Sequence, residues 1–162
     1  MTDAKITMLQ HALDLAGVGF HVFPLRSGGK KPAITGWPKR ATTDPEQIEQ
    51  WWSGRSLNIG IATERFGDGQ ALVVVDIDNK NGKCGDETVL ALELEGLDLP
   101  PTWQVLTPTG GRHLYYVVDE PVKQGAEVPG PGADIRSRGG YVVAPGSVVE
   151  QGEYVWRPTT TK

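Results

Sequence analysis

Apolar residues at helical spacing predict a helix at the start of the chain. The repeat consists of four residues that lie three or four positions apart: Ile6, Leu9, Leu13 and Ala16. Gly17 is expected to end this helix, because glycine weakens a helix interior. Residues 18–25 follow as a predicted strand with apolar side chains on both faces, and residues 26–37 form a loop rich in Gly, Lys and Pro.

A second helix is predicted to begin at residues 43–45. Thr43 and Glu46 have the spacing of a capping box, and Pro45 suits the first turn of a helix. The apolar side of this helix carries Ile48 and two adjacent tryptophans. We expect these aromatic side chains to belong to the core or to a domain contact, and not to a platform on which bases stack.

Segments rich in β-branched residues predict strands in the rest of the chain. These strands are residues 58–63, 71–77, 103–107, 112–118, 133–137, 141–144 and 154–157. Glycine-containing turns at 108–111 and 138–140 predict that the strands flanking each turn pair as a hairpin. With a short helix at 87–95, the order of elements predicts an α+β fold with a mainly antiparallel sheet.

Composition narrows the class of protein. The 162 residues suit one domain, and 38% hydrophobic with 22% charged residues is typical of a soluble globular chain. No apolar run has membrane-spanning length, and Cys84 is the single cysteine, which excludes an internal disulfide and a cysteine-based zinc site. We therefore expect a cytoplasmic protein. The net charge of −4 argues against a domain that binds DNA tightly and without sequence preference.

The first candidate site is an acid pair at the end of a predicted strand. Asp76 and Asp78 are two residues apart, so on a strand they project to the same face. Two carboxylates that close repel each other unless a cation lies between them, and Mg²⁺ is bound in this way by one or two carboxylates together with phosphates. The alternative is a polar turn, with Asp78 and Asn79 as its residues.

Two further segments add groups that suit phosphate chemistry. Gly110 and Gly111 let backbone N–H groups approach an anion, and His113 follows them at the start of a strand. Asp134 and Arg136 share one face of a later strand, an acid for metal beside a base for phosphate. Each has a plain structural alternative: a tight hairpin with a half-buried histidine in the first segment, and a surface salt bridge in the second.

Two-metal phosphoryl transfer is the one mechanism that uses all these groups. Two ions held by aspartates clamp the attacking and leaving oxygens, while cationic side chains neutralise the phosphates. A P-loop is absent, because the sequence contains no Gly-x-x-x-x-Gly-Lys-Ser/Thr. Hydrolysis by a Ser–His–Asp triad is less persuasive, because no serine lies in a nucleophile-elbow context.

The ordered set of motifs resembles the primase–polymerase (prim-pol) domain of the archaeo-eukaryotic primase superfamily. More narrowly, it is similar to the bifunctional DNA primase/polymerase N-terminal family of phage, plasmid and prophage replication proteins. The likeness covers almost the whole chain. It rests on Gly19-Phe20 to Pro24-Leu25, Gly29-Lys30-Lys31-Pro32, Gly36-Trp37, Ala41-Thr42-Thr43, Asn58-Ile59-Gly60-Ile61, Asp76-Ile77-Asp78, the block from Thr107 to His113, and Asp134-Ile135-Arg136 through Ala144-Pro145-Gly146-Ser147.

The resemblance implies a role for each matching residue. Asp76, Asp78 and Asp134 would be catalytic and would bind Mg²⁺ or Mn²⁺ in a two-metal site. His113 would be catalytic and would contact the phosphates of the incoming nucleotide. Three cationic residues are weaker candidates for nucleotide or template contacts: Lys31, Arg112 and Arg136. Asp134 is also the expected base near the attacking hydroxyl.

The resemblance also implies a fold and partners. The core would be a modified RNA-recognition-motif-like sheet beside a small N-terminal α/β part, with the catalytic domain at residues 1–157. Residues 158–162 are expected to start a linker to missing C-terminal domains, a helical region and a helicase. Single-stranded DNA would be the template, and either NTPs or dNTPs the substrates. Two alternatives stay open: a metal-dependent nuclease that uses the same aspartates, and a non-catalytic module that binds nucleic acid.

Overall fold

The computed structural model describes residues 6–97 and 99–157. Four helices lie in this part of the chain: α1 (Met8–Val18), α2 (Trp37–Arg40), α3 (Pro45–Trp52) and α4 (Gly85–Leu94). Its strands are β1 (Phe20–Leu25), β2 (Asn58–Phe66), β3 (Ala71–Ile77), β4 (Trp103–Leu106), β5 (Arg112–Val118), β6 (Gly125–Gly130), β7 (Ala133–Arg136), β8 (Tyr141–Val143), β9 (Val148–Val149), β10 (Gly152–Glu153) and β11 (Val155–Arg157).

The strands form two main antiparallel sheets. One sheet has the order β1-β2-β8, and the other has the order β11-β4-β5-β3-β7-β6, while β9 and β10 form a small separate pair. Helices beside antiparallel sheets confirm the predicted α+β class. The likeness of the larger sheet to an RNA-recognition motif stays a prediction.

The three-stranded sheet packs against α1 and α3 in the main apolar core. Leu15 of α1, Ile48 of α3 and Phe23 of β1 are all buried in this cluster. Trp51 and Trp52 are buried in it as well. The prediction that the tryptophans of the second helix are core residues is therefore confirmed.

The central strand β3 separates two environments. Val74 faces the main core together with Tyr115 of the neighbouring strand β5. Val75 and Ile77 point to the opposite side, where they pack against Val89 of α4. Because strand residues alternate between faces, the even-numbered residues of β3 lie on the side of the sheet that the N-terminal helices and the three-stranded sheet cover.

The predicted hairpin between residues 133–137 and 141–144 is wrong. β7 pairs with β3, whereas β8 pairs with β2 in the other sheet. The chain crosses between the sheets at Ser137, whose hydroxyl donates to the carbonyl of Leu72 at 2.7 Å. Its own carbonyl accepts from the Thr63 hydroxyl at 2.6 Å. These buried hydrogen bonds hold the segment between the two sheets and direct the strands on either side of it to different partners.

Two boundaries differ from the prediction for local reasons. α1 continues through Gly17, and Gly19 ends it with a φ of 125°, so β1 begins later than expected. Asp44, and not Thr43, caps α3, because its carboxylate accepts a hydrogen bond from the N–H of Glu46 at 3.1 Å. The predicted capping box is therefore replaced by a direct aspartate cap.

Several short elements were not predicted. α2 is a single turn, which is too short to show a helical repeat of apolar residues. β6 contains a register irregularity, which interrupts the alternation by which a strand is recognised. The helix expected at 87–95 begins at 85, and the last predicted strand is present as β11. The predicted linker at 158–162 lies outside the described residues.

Candidate active site

Three adjacent strands place an acid, a histidine and a second acid in one row. Asp76 of β3 stands directly opposite His113 of β5 on one side and opposite Asp134 of β7 on the other. Residues directly opposite each other in antiparallel strands share a face of the sheet. The pairing register therefore brings together three residues that are far apart in the sequence.

Asp76 is held between two basic groups. Its carboxylate oxygens lie 3.4 Å from Nε2 of His113 and 4.0 Å from a guanidinium nitrogen of Arg136. Burial by itself would raise the pKa of the Asp76 carboxyl. The hydrogen-bonding contact with His113 and its charge, together with the charges of Arg136 and Lys80, outweigh burial and lower this pKa. Asp76 is therefore kept as a carboxylate.

The glycine turn before β5 fixes the position of His113. Gly111 passes so close to β3 that a Cβ atom would lie 2.4 Å from the carbonyl oxygen of Ile77. The N–H of Gly111 donates to the Thr107 hydroxyl at 3.0 Å. His113 is buried, and its Nδ1 has no hydrogen-bond partner among the described residues.

Asp78 follows the end of β3 and projects to the same side as Asp76. Its N–H donates to the carbonyl of Gly132 at 2.7 Å, which holds the backbone in place. One carboxylate oxygen accepts from the N–H of Lys80 at 3.1 Å, and the other lies 3.7 Å from Nζ of Lys83. The carboxylate remains partly exposed at 22%.

A cavity of about 360 Å³ opens over Asp76 and Asp78. Its wall combines the two carboxylates with groups of three other kinds. The basic side chains are His113, Lys30, Lys80 and Arg136, the aromatic ones are Trp37, Tyr141 and Tyr154, and the hydroxyl ones are Thr107 and Thr109. Acids on one wall and cations around them suit a ligand that carries phosphates and a metal ion.

Tyr154 shows that the two acids converge. Burial and the negative charges of Asp76 and Asp78 together raise the pKa of its phenol to about 12. Both carboxylates therefore act on the same hydroxyl. Tyr115, buried beneath, has its pKa raised by burial and by Asp76 as well. Residues two apart on a strand project to the same face, and the prediction that Asp76 and Asp78 converge agrees with this geometry.

Asp134 stands beside Asp76 but does not line the cavity. One of its carboxylate oxygens accepts from the N–H of Glu127 at 2.7 Å, and the other lies 3.4 Å from the Arg136 guanidinium. Within residues 6–97 and 99–157, no three His, Cys, Asp or Glu side chains are arranged to hold a metal ion. The carboxylates that line the cavity are Asp76 and Asp78, and one or two carboxylates with water and phosphate oxygens are a ligand set that suits Mg²⁺.

Two of the weaker nucleotide contacts expected from the sequence lie elsewhere. Arg112 precedes His113 on β5 and so faces the other side of the sheet, where its guanidinium binds Asp86 at 2.9 Å. Lys31 is exposed and does not line the cavity, whereas its neighbour Lys30 does. Arg136 is placed as expected, beside the acids. Alternation along the strand was enough to show that Arg112 and His113 cannot both face the phosphates.

Sequence reasoning missed several residues of the cavity wall. Lys30 was recognisable only as part of the basic loop, and Lys80 only as a lysine after the acid pair. Trp37 belongs to the Gly36-Trp37 motif of the family resemblance and Tyr154 to a predicted strand, but nothing near either in the sequence indicates a place in the cavity wall. Their positions follow from long-range pairing of the strands.

Comparison with known families gives the chain its class. Residues 12–162 match the family described as bifunctional DNA primase/polymerase, N-terminal, or Prim-Pol. The chain belongs to the Prim-Pol family. A comparison with curated proteins finds no match.

Membership of the Prim-Pol family implies a primase and polymerase role, a nucleotidyltransferase activity in DNA replication with DNA and nucleotides as substrates. Prim-Pol enzymes generally use divalent metals. The row formed by Asp76, His113 and Asp134 lies within the matched residues of this Prim-Pol domain. Of the helices in residues 6–97 and 99–157, none has the length and apolar character needed to cross a membrane.

Proposed function

We propose that this Prim-Pol domain is a template-directed nucleotidyltransferase that makes or extends primers on single-stranded DNA. The observation that carries the proposal is the convergence of Asp76, Asp78 and His113 on one cavity with Arg136 beside them. Carboxylates for a metal ion and cations for a triphosphate are the parts that phosphoryl transfer requires. A module that only bound DNA would gain nothing from carboxylates that face phosphates.

Asp76 and Asp78 would hold Mg²⁺ or Mn²⁺ in this proposal. The bound metal would polarise the phosphoryl oxygens and favour ionisation of the attacking 3′-hydroxyl. Asp134 is kept as the third carboxylate of a two-metal site and as the base near that hydroxyl, because it stands directly opposite Asp76. Either role requires its carboxylate, which accepts a hydrogen bond from the Glu127 N–H, to reach the cavity that it does not line in the structure.

The basic residues of the cavity would bind the triphosphate of an incoming NTP or dNTP. His113 lines the cavity, and Arg136 offers a guanidinium on a side chain that is 41% exposed. Lys30 and Lys80 line the same cavity. Charge that develops on the phosphoryl oxygens in the transition state would be stabilised by these fixed donors.

We also propose that the domain works within a longer replication protein of the phage, plasmid or prophage type. Support for this comes from the family resemblance, in which such a domain is followed by a helical region and a helicase. Those partners would supply part of the affinity for DNA that an acidic catalytic domain lacks.

Nucleotide incorporation tests the proposal. The purified chain is incubated with primed and unprimed single-stranded templates, labelled dNTPs or NTPs, and Mn²⁺ or Mg²⁺. We expect primers to be extended only when nucleotides and metal are both present. Template degradation that needs metal but no nucleotide would show a nuclease, and the absence of both activities would favour a binding module.

A further inference from the structure

The acidic chain contains one long stretch without any acid. Between Asp14 and Asp44 the sequence has no Asp or Glu, although the net charge of the chain is −4. Five cationic residues lie in this stretch: Arg26, Lys30, Lys31, Lys39 and Arg40. All five are exposed in the structure. Positive charge is therefore concentrated on one segment of the molecule.

Most of these cations are not neutralised within the fold. Among residues 6–97 and 99–157, every salt bridge from Lys or Arg uses a cation that follows residue 80, in each case Lys83, Arg112 or Arg136. Arg40 is partly engaged, because it lies over the Trp51 ring and donates to the carbonyl of Thr35. We call the other four, Arg26, Lys30, Lys31 and Lys39, the N-terminal basic surface.

The loop that carries three of these cations is firmly held. Gly29 accepts at its carbonyl from the Asn58 side-chain amide at 2.9 Å. The N–H of Arg26 donates to the carbonyl of Lys31 at 2.8 Å. The carbonyl of Lys30 accepts from the Tyr141 hydroxyl at 2.9 Å. Fixed backbone reduces the entropy that is lost when phosphates bind, so the loop is suited to receive them.

An aromatic wall joins the N-terminal basic surface to the cavity. Trp37 and Tyr141 both line the cavity, and their ring centroids are 5.0 Å apart. Tyr141 also holds Lys30 through the hydrogen bond just described, while Trp37 begins the helix that carries Lys39. Trp37 stacks on Phe23 at 4.7 Å, which fixes its ring. Cations that track a backbone beside fixed aromatic rings are the arrangement by which proteins bind single-stranded nucleic acid.

We propose that the N-terminal basic surface binds the phosphates of the single-stranded DNA template and leads the strand past Trp37 into the cavity. Lys30, at the cavity itself, marks where the strand meets the nucleotide site, and Arg26, Lys31 and Lys39 lie outside the cavity. The role of this strand as a template depends on the proposed function. Binding of the strand to this surface does not depend on the proposed function.

Two double variants with equal loss of charge test the surface. Lys31→Gln/Lys39→Gln removes two cations of the N-terminal basic surface, and Lys123→Gln/Arg157→Gln removes two exposed cations elsewhere. Binding of fluorescein-labelled oligodeoxythymidylate is measured by anisotropy over a range of salt concentrations. Each phosphate contact on a single strand contributes about 0.7 to the slope of log K against log salt, so the first variant should lose about 1.4 in slope and bind at least several-fold more weakly.

The control variant should bind DNA like wild type, and both variants should keep wild-type affinity for a nucleoside triphosphate with Mn²⁺. An equal loss of DNA binding in both variants, or a loss of triphosphate binding in the first, overturns the proposed surface. If wild type binds the strand through this surface but incorporates no nucleotide, the surface stands and the proposed function fails. If wild type incorporates nucleotides and Lys31→Gln/Lys39→Gln binds DNA normally, the proposed function stands and the proposed surface fails.

Discussion

Nε2 of His113 lies 3.4 Å from a carboxylate oxygen of Asp76, across two strands that pair residue for residue. This contact links the group proposed to bind metal with the group proposed to bind phosphate. It also lowers the pKa of Asp76, together with the charges of Arg136 and Lys80. The first prediction follows from that shift.

The Asp76 carboxylate should stabilise the folded state at neutral pH, and this stabilisation should be lost at acidic pH. Its folded pKa is below its ordinary value of 3.8, so the folded state favours the carboxylate. The contribution is complete above the unfolded pKa and is lost as pH falls through the folded pKa. We expect Asp76→Asn to unfold with a shallower dependence on pH below about 4, measured by urea titrations in EDTA. Asp119→Asn, an exposed control, should keep the wild-type profile; a wild-type profile in Asp76→Asn would contradict the assigned interaction.

Loss of His113 should affect nucleotide binding and chemistry together. We expect His113→Gln, which keeps a donor and most of the volume, to stay folded while it raises the apparent nucleotide KM. It should also lower kcat by about a hundredfold, the scale of one lost electrostatic contact. His113→Ala should in addition lower Tm, because it leaves a space in a buried site. If His113→Gln retains wild-type kinetics, the histidine is a structural residue.

Metal binding should depend on Asp76, on Asp78 and on nucleotide. Two partly exposed carboxylates form a weak site that phosphate oxygens complete. Titration calorimetry is expected to show weak Mn²⁺ binding to the free protein and stronger binding with a nucleoside triphosphate. Asp76→Ala and Asp78→Asn should each abolish that gain, whereas Asp68→Asn should not. Unchanged Mn²⁺ affinity in the Asp76 and Asp78 variants would exclude this pair as the metal ligands.

Asp134 can be tested by a change that keeps its shape. If it is the third carboxylate, Asp134→Asn should reduce primer extension by at least about a hundredfold, since each factor of ten is about 1.4 kcal/mol of transition-state stabilisation. Tm without metal should stay level or rise, because fewer acids then repel one another. Nucleotide incorporation at the wild-type rate by Asp134→Asn would show that Asp134 is not a catalytic carboxylate. Its role would then be structural, through its contacts with Glu127 and Arg136.

The local parts of the site could be predicted from sequence, and the long-range parts could not. Strand period two was enough to place Asp76 and Asp78 on one face, and the Gly110-Gly111 turn was enough to place His113 at the start of a strand. The register that sets Asp76 opposite His113 and Asp134 depends on pairing between distant segments. No local pattern contains that information.

The difference between local patterns and long-range contacts also explains the errors in the predicted fold. The hairpin around residue 139 was inferred from a glycine turn, but buried hydrogen bonds of Ser137 to Leu72 and Thr63 send its two strands to different sheets. The placement of Lys30, rather than Lys31, at the cavity depends on how Tyr141 and Asn58 hold the loop. Such contacts join elements that lie far apart in the chain.

Primer extension by Asp76→Asn tests the central claim most directly. Asparagine keeps the size of the side chain but removes the negative charge that would hold a metal ion beside His113. Wild type, Asp76→Asn and the exposed control Asp119→Asn are compared on a preformed primer with Mn²⁺ and saturating nucleotides. The account predicts full activity in the control and a loss of at least about a hundredfold in Asp76→Asn with its fold intact. Incorporation at the wild-type rate by folded Asp76→Asn would contradict the account.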